Sequence, residues 1–231
     1  SKKISNVMRG SEVVIVGNNY LADYASAAGA KRVEVVPTVL ALKSYPLPCQ
    51  RSRADAVFKI GWIGSPSTAK YLEAIAPALA EVCSGGQARV VLIGSGPCSL
   101  CGVPIDIIEW SEETEVAELN QIDVGIMPLP DELWARGKCG FKLIQYMACG
   151  LPVVASPVGI NREIVEHEHN GYLTTDHTSW VDALTELRDN KAIGEKMGRR
   201  GRAIVESKYN LELSATKLLG VLNATVSLIR G

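Results

Sequence analysis

Lys138 and Lys142 stand four residues apart in the run Lys138-Cys-Gly-Phe-Lys-Leu-Ile-Gln-Tyr-Met-Ala-Cys-Gly-Leu-Pro-Val-Val-Ala-Ser-Pro-Val-Gly159. That spacing puts both ammonium groups on one helical face if the helix begins near Lys138. Cations at a helix N-terminus oppose the macrodipole, and a bound phosphate or diphosphate removes the conflict. The alternative is a pair of solvated loop lysines. Glu163 follows at the start of the next helix, where an acidic residue serves equally as a dipole partner or as a ligand contact. Three glycine-bearing turns belong to the same chemistry: Gly61-Trp-Ile-Gly64-Ser65, Gly94-Ser-Gly96 and Ser156-Pro-Val-Gly159. Glycine lets the backbone approach an anion closely and present its N–H groups. None of the three matches a nucleoside-triphosphate P-loop or a dinucleotide G-x-G-x-x-G. Each taken alone reads as an ordinary turn of an α/β sheet.

Other reactive residues carry weaker signals. Cys98-Ser-Leu-Cys101 has metal-hairpin or redox spacing, but no second Cys or His pair accompanies it at zinc-finger spacing. The six cysteines (49, 83, 98, 101, 139 and 149) are unevenly spread in a chain that is not small, so they read as reduced thiols of a cytoplasmic protein. His167, His169 and His177 fall in polar loop sequence and read as solvated surface, with no metal site expected. No nucleophile elbow or Ser-His-Asp order is present. Trp62 and Trp180 read as core, whereas Trp134 lies in a polar loop where it can flank a ligand.

These residues need elements to position them, and the chain alternates short β-rich runs with helical patterns throughout. Strands are expected at 12–17, 33–37, 57–63, 88–93, 105–110, 123–128 and 152–155. Helices are expected at 20–28, 71–82, 113–122, 162–166, 179–189, 191–205 and 211–228, with one more inside the opening run and a turn at 169–171. Nearly continuous apolar strands imply a parallel sheet covered on both faces, and right-handed crossovers make it a doubly wound, Rossmann-like α/β layer. Ligands of such sheets bind outside the carboxyl ends of the strands, where the glycine turns fall. Lys43 to Asp55 has linker composition, which places a boundary near residue 50.

The totals limit the alternatives. At 231 residues, 47% apolar and 21% charged, the chain has a globular profile. A net charge of −1 carries no basic field for nucleic acid, and the apolar runs are strand-length rather than membrane-spanning. An opening Ser1-Lys-Lys without Met points to a processed chain or a fragment.

From Ile60 to about Tyr209 the ordered motifs resemble the nucleotide-sugar-binding domain of GT-B glycosyltransferases, especially the retaining group 1 or family 4 enzymes. The motifs are Ile60-Gly-Trp-Ile-Gly-Ser65, Val91-Leu-Ile-Gly-Ser-Gly96, Asp123-Val-Gly-Ile-Met-Pro-Leu129, Phe141 to Ser156, Gly159-x3-Glu163 and Asn170-Gly-Tyr-Leu173. The resemblance implies that residues 1–50 end an acceptor-binding domain and linker, that 51–210 form the donor domain, and that 211–231 form a C-terminal helix. It implies a hexosyl transfer from a UDP- or GDP-sugar to a glycan or lipid-linked acceptor, with no cofactor and no metal, at the cytoplasmic face of a membrane. The fragment alone is then inactive. It also implies that Lys142 and Lys138, with backbone at Gly64 and Ser65, meet the diphosphate. Ile108 to Trp110 frame the base, Gln145 meets the ribose, and Gly159 and Glu163 grip the donor. Gln145 replaces the second Glu of the family's E-x7-E motif, and the first falls on Gly137. Asp131 or Glu132 is a candidate substitute for that carboxylate. The rivals are a non-catalytic nucleotide-binding module, a GT-B epimerase and a phosphorylase.

Overall fold

The computed structural model describes residues 2–47 and 57–230, with side chains described up to residue 227. The expected boundary near residue 50, like Cys49, lies outside the described residues. The first segment runs α1 (Lys2–Gly10), β1 (Val14–Val16), α2 (Asn19–Ala27) and β2 (Val33–Val35), with β1 and β2 paired in parallel. After it come β3 (Phe58–Ile63), α3 (Pro66–Ala69), α4 (Ala76–Cys83), β4 (Ala88–Ile93), β5 (Ile105–Ile108), α5 (Glu115–Leu119) and β6 (Val124–Met127). The chain continues through α6 (Leu133–Arg136), α7 (Phe141–Ala148), β7 (Val153–Ala155), α8 (Asn161–Ile164) and β8 (Gly171–Leu173). It closes with α9 (His177–Asp189), α10 (Lys191–Lys208) and α11 (Leu211–Arg230).

Six strands form one parallel sheet in the order β5-β4-β3-β6-β7-β8. The inner strands β3, β4, β6 and β7 are buried on both faces, and the pleat divides their side chains between two cores, whereas edge strand β5 leaves Ile107 exposed. Ile60, Trp62, Val90, Leu92, Val124 and Ile126 pack with α4 and α9. Ile63, Val91, Ile93 and Val153 pack with α7 and α10 on the other face. The fold class is the doubly wound α/β layer read from the sequence.

The order reverses between β3 and β6, where ligands of open α/β sheets bind. There the ladder is short, with only Ile60↔Val124 and Gly61↔Gly125 in register. The two facing glycines are required by packing: a Cβ on Gly125 would enter the Tyr146 ring, and one on Gly61 would strike Ile122. Beyond them the fully buried Tyr146 hydroxyl takes over from the ladder. It accepts from the Ile63 amide at 2.9 Å and donates to the Ile126 carbonyl at 3.3 Å. Tyr146 therefore wedges the strands apart and seats α7 in the crevice.

Several boundaries differ from expectation. The helix expected over 71–82 is broken, because Pro77 lacks an N–H and fits only the first turn of a helix. A 3₁₀ turn, Lys70–Ile75, precedes α4. Helix α1 carries no buried residue, and the turn expected at 169–171 is present but leads directly into β8, an unexpected sixth strand. Helix α6 stands in what reads as loop sequence, with Trp134 77% exposed on it. Helix α11 packs back on the first segment, where Lys217 Nζ donates to the Val35 carbonyl at 2.8 Å, and leaves Leu213, Leu219 and Val226 exposed. No described helix is long and apolar enough to cross a membrane.

Candidate active site at the strand ends

Helix α7 begins at Phe141, capped by Gly140 in the left-handed region at φ 68°. A side chain there would also strike Ile164, so glycine is needed for backbone and space alike. Lys142 therefore occupies the first turn, but Lys138 does not share its helical face. It lies in the preceding loop, which corrects the reading of one helix starting near Lys138. The two lysines still act on one space. Lys142 Nζ lies 4.0 Å from the centroid of the Trp62 ring, and Lys138 Nζ lies 5.6 Å from that of Tyr71.

Burial, aided by the charge of Lys138, pulls the Lys142 ammonium down from 10.5 to about 7. Burial lowers Lys138 as well. No carboxylate lies within ion-pair range of Lys142 among the described residues; its recorded partner is the Trp62 ring. Gly64 lies directly against this ammonium, and any Cβ at residue 64 would overlap Nζ. The Gly64 amide, however, donates to the Ile93 carbonyl at 3.0 Å, so it extends the sheet instead of facing a ligand. Ser65 caps the short α3, and its hydroxyl meets that of Ser67 at 3.0 Å.

Gly94 and Trp110 close the next side. A Cβ on Gly94 would sit 2.7 Å from the Gly64 carbonyl oxygen and 3.0 Å from the Trp110 Cβ. Trp110 is half exposed, and its indole Nε1 donates to Glu115 Oε2 at 2.7 Å. Glu115 is one of the residues that sequence reasoning missed. It also accepts from Tyr45 Oη at 2.8 Å and from Gln145 Nε2 at 2.7 Å. Gln145 is 4% exposed and donates a second bond to Tyr45 Oη at 3.2 Å. Glu115 stands in an acidic run, 109–118, and nothing in the sequence marks which acid turns inward.

The remaining candidates sit across the 136–140 loop. A Cβ on Gly159 would lie 2.7 Å from the Arg136 carbonyl, so this turn packs on that loop. Glu163 accepts from Asn19 Nδ2 at 3.3 and 3.2 Å, a contact made by the first segment. Asn18 is buried and holds the loop itself, donating to the carbonyls of Gly137 at 3.3 Å and Lys138 at 3.0 Å. Its own oxygen caps α2 by accepting from the Leu21 amide. Asp131 is committed to a bidentate pair with Arg136, which holds its carboxyl below the usual range, while Glu132 starts α6. Trp62 and Trp180 are core, and the three histidines are about half exposed, His177 against Glu81 at 2.8 Å. A cavity of about 160 Å³ between Ile75, Leu129, Thr175 and Trp180 shares this edge, but neither lysine lines it.

The model of the family described as glycosyl transferases group 1 matches residues 57–190, more than half of the chain. The chain belongs to the group 1 glycosyl transferases. Among curated relatives of this family member, N-acetyl-alpha-D-glucosaminyl L-malate synthase of Bacillus anthracis is 26% identical over 62% of the chain. D-inositol 3-phosphate glycosyltransferase of Paenarthrobacter aurescens is 34% identical over 37% of it. The chain spans 39% and 20% of the lengths of these two proteins. Among solved GT-B structures, sucrose-phosphate synthase from Thermosynechococcus elongatus aligns over 97% of the chain and 61% of its own, at 19% identity and TM-score 0.77. Anabaena HepE, in complex with UDP and glucose, aligns over 96% and 67% at 18% identity and TM-score 0.78. These likenesses establish the fold of this group 1 transferase: one Rossmann-like layer of a GT-B protein.

Proposed function

We propose that this group 1 transferase binds a UDP- or GDP-sugar at the β3/β6 crevice and that the whole protein transfers the hexose to an acceptor hydroxyl with retention. The observation that carries this reading is the Lys142 ammonium. It is desolvated at the mouth of the switch-point crevice, rests on an indole and has no counter-charge within reach among the described residues. A cation held so is stabilised by an incoming dianion. Lys138 adds a second charge on the same space, and the first turn of α7 adds backbone polarity. As the bond between the anomeric carbon and the phosphate oxygen breaks, its electron pair moves onto the diphosphate, where the two cations stabilise it; the acceptor hydroxyl bonds to that carbon and passes its proton to the released diphosphate oxygen. No cofactor enters this scheme. HepE, a fold neighbour, was solved with UDP and glucose.

The acceptor on this reading is a glycan or lipid-linked hydroxyl at the cytoplasmic side of a membrane, contacted peripherally. Residues before about 50 belong to the acceptor-binding half, and 211–231 form the helix that returns to it. Gly159 and Glu163 complete the donor side of the cleft, with backbone at Ser65. A second reading, a nucleotide-binding module without turnover, is favoured by Gly137, where the family's first motif carboxylate is missing.

Calorimetric titration of the chain with UDP and with GDP, repeated on Lys142→Ala, tests the proposal. Binding of one nucleotide that the substitution weakens at least tenfold supports it; binding unaffected by Lys142→Ala refutes it. Transfer or hydrolysis of the matching nucleotide sugar by the whole protein then separates the enzyme from the module.

A further inference from the structure

Resting on the nucleotide reading above, we propose that Glu115, together with the carbonyl oxygen of Gln145, is the acceptor pair that reads the vicinal diol of the nucleoside. Gln145 and Tyr45 then also act as positioning residues for the carboxylate.

The assignment follows from counting hydrogens. Gln145 Nε2 carries two, and both are spent inside the protein, on Glu115 Oε1 at 2.7 Å and Tyr45 Oη at 3.2 Å. The amide therefore has no N–H left for a ribose hydroxyl, and what it retains is an acceptor: no donor reaches its Oε1 among the described residues. The Tyr45 hydroxyl hydrogen is likewise spent, on Glu115 Oε1 at 2.8 Å. Glu115 Oε1 is filled by these two bonds. Oε2 receives only the Trp110 indole N–H, at 2.7 Å, and keeps one lone pair. Two free acceptors on side chains that are hydrogen-bonded to each other match two adjacent hydroxyls that each donate once. A deoxygenated sugar leaves them unpaired, and a lost bond to a charged partner is the more expensive kind.

The placement fits a nucleoside diphosphate from end to end. Gln145 follows Lys142 by three residues on α7, about 4.5 Å along the helix axis. A diphosphate at the ammonium therefore sets its sugar at the Glu115 carboxylate. Trp110 lies on the far side of that carboxylate with its ring half exposed, an apolar face for a base. Gly64 and Gly94, which could not carry side chains without striking Lys142 or Trp110, leave the floor between cation and indole clear.

The experiment compares UDP with 2′,3′-dideoxy-UDP, or the guanine pair if GDP is the nucleotide bound, on the native chain, Glu115→Gln and Tyr45→Phe. Inorganic pyrophosphate is the probe of the lysine site alone. The native chain is expected to prefer the diol by tenfold or more. Glu115→Gln is expected to reduce that preference to within about twofold while binding pyrophosphate as the native chain does. Tyr45→Phe, which keeps the carboxylate but loosens it, is expected to fall between. Three outcomes overturn the inference: no preference in the native chain, a preference that survives Glu115→Gln, or loss of pyrophosphate binding in that variant, which would make Glu115 a general prop of the site. If the native chain binds neither nucleotide nor pyrophosphate, the parent reading fails as well. Binding that depends on Lys142 but ignores the diol sinks this inference alone.

Discussion

Replacing Lys142 by methionine should make the empty protein more stable while removing its ligand response. In the folded chain the ammonium is held at about 7 against 10.5 for an ordinary lysine. Below about pH 7 both states are charged, and the folded state carries the full burial penalty. At about 1.36 kcal/mol per decade of proton affinity this is on the order of 4–5 kcal/mol. Between about 7 and 10.5 the unfolded chain binds the extra proton, so stability rises with pH across that window. The penalty falls to on the order of 2 kcal/mol by pH 9 and is nearly gone by 10.5. The Trp62 ring returns only about 0.5–2 kcal/mol of cation–π attraction, so burial wins. Methionine keeps much of the volume and the apolar contact without the charge. Urea unfolding at pH 7 should show Lys142→Met more stable by about 2–4 kcal/mol, and at pH 9 by less than half of that. A nucleotide sugar has no phosphate ionisation near neutrality, so its thermal shift at pH 7 should report the lysine directly and vanish in the variant. A destabilised Lys142→Met, or a stability difference independent of pH, would refute the account of a desolvated, unpaired ammonium.

Other expectations follow from the same geometry. Lys138→Ala removes the neighbouring positive charge that helps depress Lys142, so the pH midpoint of nucleotide-sugar binding should move upward even as affinity falls. Tyr146→Phe strips the acceptor from the buried Ile63 amide and should cost about 1–3 kcal/mol by chemical denaturation, with the fold retained. At Gly137 a Cβ would meet nothing nearer than 3.6 Å, and its φ of −76° suits any residue. Gly137→Glu should therefore leave the melting temperature within a few degrees, and turnover assays of the whole protein should show whether the missing carboxylate limits transfer.

The sequence showed the layer but not its seams. Long apolar strands such as Ala88–Ile93 are legible because both sheet faces are buried, and the period needs no help from distant residues. β8 is three residues long, too short for any period, and exists because β7 offers it an edge. Pro77 was visible, yet a strong apolar pattern on either side of it reads as one helix. At the candidate site, the glycine turns and lysines singled out in the sequence fall together at the carboxyl ends of the strands. What escaped was the polar wiring across it: Glu115 and Tyr45 come from an acidic run and a linker-like stretch, and only the fold brings them to Gln145. Asn18 escaped for the same reason, since its partners lie more than a hundred positions away.

The polypeptide passes between its two parts after β2 and again after α10, and the first of these passages meets the second. Leu40 bridges Asn210 in parallel, its amide donating to the Tyr209 carbonyl at 3.2 Å while its carbonyl accepts from the Leu211 amide at 3.0 Å. Two covalent passages hydrogen-bonded to each other at one place make that stitch the natural pivot for any rotation of the first segment against the six-stranded sheet. The contacts that such a rotation must break lie elsewhere, at Asn18 on the lysine loop and Asn19 on Glu163. A rotation of that kind would keep the stitch and break the asparagine contacts, so amide exchange at Leu40 and Leu211 should be slower than in the 137–140 loop.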